Sequence, residues 1–315
     1  MMTNRNRSGD GLGDGIAATR YFEHKKGTIT NLTSWTELSK KQFSDRLIQI
    51  AGAFPIVEDQ SNEDQKHVSV FVHGFNVSWT DAVTRYDQIK ADLFDRRDLG
   101  QPILFTWPSN GSAAGYLPDR EDARGSAEAL AQEFTDLYTY LSGMQRLIVR
   151  TQDPAKACRA KVSVIAHSMG NYVVQKALAV AAKRLNSPQL LTLITQLAMI
   201  AADVDNDLFQ KDKPLDGDGS LMANVCYRIA ALYTGLDQVL GASAGLKHFG
   251  TRRLGRSGLA DRTAVWDNVF DIDVSKVIKD ENIHSSVFES PKALTLVEEI
   301  LRGRDRGQLS VVASV

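Results

Sequence analysis

Six short apolar runs, rich in β-branched residues and each followed by turn-forming residues, alternate with longer amphipathic stretches in this 315-residue chain. The runs are 67–74, 102–111, 161–166, 194–203, 226–234 and 268–275. The first two suit strands buried on both faces, and the other four read as further strands of the same sheet. Between them the spacing changes to the helical period. Ala82, Val83, Tyr86, Ile89, Leu93 and Phe94 share one face, stopped by Gly100 and Pro102. Ala127, Leu130, Phe134, Leu137 and Leu141 predict a helix over 122–142, and Val173, Val174, Ala177, Leu178, Ala181 and Leu185 another. A last amphipathic helix is expected at 291–302. Strands alternating with helices imply βαβ units, hence an α/β fold: a mainly parallel sheet with helices on both faces.

The chain is long enough for one large core, and no linker or repeat divides it. Residues 1–17, rich in Gly, Asn and Asp, read as a flexible lead-in. A single domain is expected over 18–303, with lid-like loops at about 204–224 and 243–266 and a patternless tail at 304–315. A net charge of −1 gives no bulk attraction to nucleic acid or an acidic membrane. No run is long enough to span a bilayer, and the N-terminus lacks the apolar core of a secretory signal. Cys158 and Cys226 form no metal-ligand spacing and read as reduced thiols. A cytoplasmic location, no cofactor and no metal are expected; the oligomeric state is left open.

In a parallel sheet the site lies beyond the carboxyl ends of the strands. Four groups sit there: His73-Gly74-Phe75-Asn76, Ala166-His167-Ser168-Met169-Gly170, Asp237 and His284. Alone, Ser168 reads as a helix N-cap. A serine followed in the chain by an acid and then a histidine gives it a second reading.

Together, "FVHGFN", "FTWPSNG" with Tyr116, "IAHSMGN", "AADVD" and "RIAALYT" with Asp237 resemble a bacterial serine esterase- or lipase-like group of the α/β-hydrolase superfamily. The resemblance runs over roughly residues 68–300, with Ala166 in the first position of the G-x-S-x-G elbow. It implies a mainly parallel α/β-hydrolase sheet, Ser168 as nucleophile, Asp237 as acid and His284 as base. It also implies an oxyanion hole from the N–H groups of Phe75 and Met169. Gly74, Asn76, Trp107 and Tyr116 are the candidate substrate-binding residues. The chemistry asks for these types: a serine hydroxyl needs a neutral imidazole to take its proton, and the imidazole needs a carboxylate to set its tautomer.

Alternatives stay open. His248 rivals His284, and Asp203 or Asp205 rival Asp237, although those two could instead cap the segment after them. His73 and His167 read as structural, and Asp271 and Asp273 as facing solvent or a salt bridge. Arg252, Arg253, Arg256 and Arg262 form a basic stretch read as a solvated loop. The expected function is hydrolysis of a small-molecule carboxylic ester through an acyl-enzyme. An acyltransferase or amidase would use the same residues, and a binding-only protein could share the fold. A nucleotide-binding protein lacks its glycine motif here, and a metal hydrolase its histidine pair.

Overall fold

A computed structural model of the chain describes residues 1–57, 64–109, 115–153, 158–185, 192–247, 250–278 and 283–314. Among them one sheet holds nine strands. They are β1 (Met2–Ser8), β2 (Gly11–His24), β3 (Trp35–Leu38), β4 (His67–Val72), β5 (Gly100–Thr106), β6 (Lys161–His167), β7 (Ile194–Ile200), β8 (Cys226–Tyr233) and β9 (Val269–Asp273). The order is β3-β2-β1-β5-β4-β6-β7-β8-β9. The six apolar runs are β4 to β9, all parallel. β1 joins β5 in parallel, and β2 and β3 extend that edge antiparallel.

The α-helices are α1 (Lys40–Gly52), α2 (Trp79–Ile89), α3 (Tyr116–Thr151), α4 (Gly170–Arg184), α5 (Asp218–Val225), α6 (Gln238–Ala242), α7 (Leu254–Ser257), α8 (Pro291–Arg302) and α9 (Arg306–Ser314). The period of two in each strand sends alternate side chains into two apolar layers. Val162, Val164 and Ala166 of β6 meet the layer built with α3, α4 and α5, while Ile165 meets that of α2, α8 and α9. In α8, Leu296, Val297, Ile300 and Leu301 are all buried against the sheet. Each such side chain stabilises by about 1.5–3 kcal/mol relative to exposure. Among the described residues no helix is long and apolar enough to cross a membrane.

Four expectations change. Residues 1–17 are not a loose lead-in: they form β1 and the first half of β2, with Thr3, Asn4 and Arg5 buried. Their polarity hid the strand because each finds a distant partner. The Thr3 hydroxyl donates to the Thr106 carbonyl, Asn4 to Ser126, and Arg5 to Thr106, Asp14 and the Val77 carbonyl. The tail after Gly303 is α9, with Leu309 and Ala313 buried beneath it. The segment 204–224 is not a lid, since Val204, Phe209, Leu221 and Met222 are core residues and α5 packs on α4.

The basic stretch in 243–266 is only partly solvated: Arg252 and Arg262 are exposed, but the others are not. Arg253 is fully buried, bonded to Asp203 and Asp205. Arg256 donates to the Asp237 carbonyl, and Arg262 pairs with buried Asp271. A periodicity argument does not see such pairs, because the partner lies elsewhere in the chain.

Candidate active site

β4 sits between β5 and β6, so the chain crosses over in opposite directions on its two sides and opens a crevice at its carboxyl end. The loop after β4 and the turn after β6 therefore lie side by side. Ser168 occupies that turn with φ 52°, a left-handed conformation that costs a non-glycine residue on the order of 1–3 kcal/mol. The fold holds it there from several directions. The Ser168 N–H donates to the Ile200 carbonyl at 3.0 Å, and the N–H groups of Asn171 and Asp203 both donate to the Ser168 carbonyl. The Asn171 side-chain amide donates to the carbonyls of Ala166, Ser168 and Ile200 at 3.0–3.2 Å. Asn171 is a support that the motif contained without announcing its role.

Two glycines are needed here for space. A Cβ on Gly170 would stand 2.4 Å from the His73 carbonyl oxygen, and one on Gly74 2.7 Å from the Ser168 Cβ. The elbow and the post-β4 loop thus approach more closely than any side chain allows.

His284 reaches this point from the segment after β9. Its Nε2 accepts from the Ser168 hydroxyl at 2.8 Å, and its Nδ1–H donates to Asp237 Oδ2 at 2.7 Å. Asp237 is fully buried; its Oδ1 caps α6 by accepting from the Leu240 N–H at 3.0 Å. Asp203 is engaged elsewhere. It accepts from Tyr116 Oη at 2.6 Å, Ser243 Oγ at 3.0 Å and Arg253 Nε at 2.8 Å. Among the described residues no helix begins directly after Asp203 or Asp205, and both hold Arg253. His248 lies outside the described residues.

The neighbouring histidines are structural supports. His167 Nε2–H donates to the His284 carbonyl at 2.8 Å, and its ring centroid lies 5.0 Å from that of His284. His73 Nδ1–H donates to the Gly74 carbonyl, while its Nε2 accepts from Thr106 and the Trp107 N–H. Burial pushes the pKa of each down to about 3, helped at His167 by His284 and at His73 by Arg5. His67, buried beside Lys161, is pushed down to about 3 in the same way. These rings stay neutral in the folded state, whereas unfolded histidine protonates near pH 6.5. The stabilisation is therefore complete above pH 6.5 and is lost as pH falls toward 3, by up to about 1.4 kcal/mol per pH unit for each ring. The thermal midpoint should begin to fall near pH 6.5, before carboxylates titrate. A midpoint constant down to pH 5 would contradict this.

The remaining candidates divide. Gly74 is buried against the elbow, and Asn76 is exposed at φ 57°. Phe75 is half-buried, its ring edge-on to Tyr116 at 5.4 Å. The Met169 N–H, at the entry to α4, has no hydrogen-bond acceptor among the described residues. Trp107 does not line a cleft. It is fully enclosed, stacked on His73 at 5.3 Å with Nε1–H on the His73 carbonyl. Tyr116 is also buried, tied by its hydroxyl to Asp203. Both aromatics brace the post-β4 loop from behind. An apolar cavity of about 200 Å³ between α1 and α3 lies at the amino ends of the strands, away from Ser168.

A family model agrees with this sheet. The family model described as alpha/beta hydrolase of unknown function (DUF900) matches residues 54–304. Uncharacterized protein alr1448 of Nostoc sp. is 32% identical over 134 residues, covering 36% of this chain and 31% of that protein, so the match spans under a third of its length. Among solved structures, Aspergillus fumigatus lipase B shares 14% identity at a TM-score of 0.41, covering 84% of this chain and 60% of its own. An esterase of Pyrobaculum calidifontis shares 14% identity at 0.33, covering 87% and 90%. Likenesses this distant say nothing about substrate. With four-fifths of its length matched by the family model and its strands arranged in a mostly parallel nine-stranded sheet, the chain belongs to the α/β-hydrolase family DUF900.

Proposed function

We propose that this protein is a serine hydrolase that cleaves carboxylic esters through an acyl-enzyme. The observation that carries the reading is the hydrogen-bonded chain from Ser168 Oγ through the His284 ring to buried Asp237, with the serine held at positive φ on a strand-to-helix turn. Surface caps do not need such a chain.

In this reading His284 Nε2 takes the hydroxyl proton as Ser168 Oγ bonds to the ester carbonyl carbon. Asp237 holds Nδ1–H and stabilises the imidazolium that forms. The N–H groups of Met169 and Phe75 receive the oxyanion, assisted by the positive end of α4. His284 then gives its proton to the departing alkoxide as the ester C–O bond breaks. Water repeats the sequence in reverse and frees the acid. The free thiols Cys158 and Cys226 support work in a reducing compartment such as the cytoplasm.

A fluorophosphonate probe tests the reading directly. One adduct per chain is expected, on Ser168, and labelling should slow at least a hundredfold in His284→Ala. An adduct elsewhere, or none on folded protein, would remove the assignment.

A further inference from the structure

α3 and α4 both begin at the carboxyl edge of the sheet, and their first turns flank the candidate site. Tyr116 opens α3, with its ring against Phe75. One turn on, the Arg120 guanidinium lies 3.9 Å from the centroid of the Tyr172 ring. Tyr172 stands four residues after Ser168, in the first turn of α4. Arg124 Nε and Lys176 Nζ approach the same tyrosine, at 3.4 Å from its hydroxyl and 5.5 Å from its ring.

Three acids near this cluster are already assigned. Glu121 pairs with Arg124, Asp218 pairs with Lys176, and Asp119 accepts from Ser109 Oγ. Arg120 forms no ion pair among the described residues, and its Nη1 is enclosed without a hydrogen-bond acceptor. An enclosed cationic donor left without an acceptor is costly, and a guanidinium is best satisfied by a carboxylate or phosphate. The amino end of α4 adds positive potential at the same place.

We infer that the substrate carries an anionic oxygen group, a carboxylate or a phosphate, and that Arg120 binds it beside Ser168. This rests on the hydrolase reading above. Arg120, stacked on Tyr172, moves to present its N–H groups to the anion, which selects esters bearing a charge over neutral ones of equal length.

The test compares p-nitrophenyl hemisuccinate with p-nitrophenyl butyrate in the native protein, Arg120→Gln and Arg120→Lys. The native protein should favour the hemisuccinate in kcat/KM. That preference should fall at least tenfold in Arg120→Gln and return in part in Arg120→Lys. Butyrate turnover with no such preference, or a preference indifferent to both substitutions, overturns the inference and leaves the hydrolase reading intact. Folded native protein that turns over neither ester counts against the hydrolase reading. Calorimetry then decides the anion site on its own, with monomethyl succinate and inorganic phosphate as separate probes of Ser168→Ala. Binding weakened at least tenfold by adding Arg120→Gln supports the site, and the stronger probe names its anion. Binding of neither probe, or binding that ignores Arg120, overturns it.

Discussion

Replacing Ser168 with alanine should lower kcat for a small activated ester by about a millionfold, down to what positioning and oxyanion contacts alone achieve. The fold should survive. Alanine keeps the Cβ at the same φ of 52°, and among the described residues the removed oxygen bonds only His284, while the turn is held by main-chain bonds and Asn171. The thermal midpoint should therefore stay within a few degrees of the native value. Steady-state hydrolysis by purified Ser168→Ala, measured beside its melting curve, checks both halves. Turnover within tenfold of the native rate in a folded variant would place the nucleophile elsewhere.

Asp237→Asn should reduce kcat by about ten-thousandfold with little change in KM. The asparagine oxygen can still cap α6 by accepting from the Leu240 N–H. Its amide then faces Nδ1 of His284 as a donor. The imidazole proton moves to Nε2, and the ring can no longer take the Ser168 proton. Asp203→Asn should behave differently. It weakens the buried pair with Arg253, so its main effect is on stability, of order 3–5 kcal/mol where the partner is left uncompensated. Parallel kinetics and denaturant titration of the two variants separate these outcomes. A steep kcat loss in Asp203→Asn at unchanged stability, with Asp237→Asn near native, would reverse the roles.

Such contrasts mark where reading residues in order stops being enough. The central sheet was legible because β4 to β9 leave water on both faces, and continuous apolar runs such as "VSVFV" and "VSVIA" record that directly. The elbow was legible too. Gly170 and Gly74 are demanded by approaches of 2.4 and 2.7 Å, and small residues at fixed offsets from Ser168 are the trace of that demand. β1 was not legible, since Thr3, Asn4 and Arg5 are buried through bonds to Thr106, Ser126, Asp14 and Val77, and polar residues carry no sign of a partner far along the chain. Trp107 could equally have lined a cleft or braced a loop, and only its stacking on His73 decides for the brace.

The two acids show the same divide. Asp203 and Asp237 each follow a strand at the same edge, and each could reach His284 as far as spacing tells. In the folded chain Tyr116, Ser243 and Arg253 converge on Asp203, while the segment after β9 carries His284 to Asp237. The pattern of side chains along the chain determined which elements leave water and which reactive residues stand at the strand ends. Which of those residues touch was decided only by tertiary packing, because a polar group's partner is chosen by three-dimensional proximity across sequence separations of 40 to 116 positions.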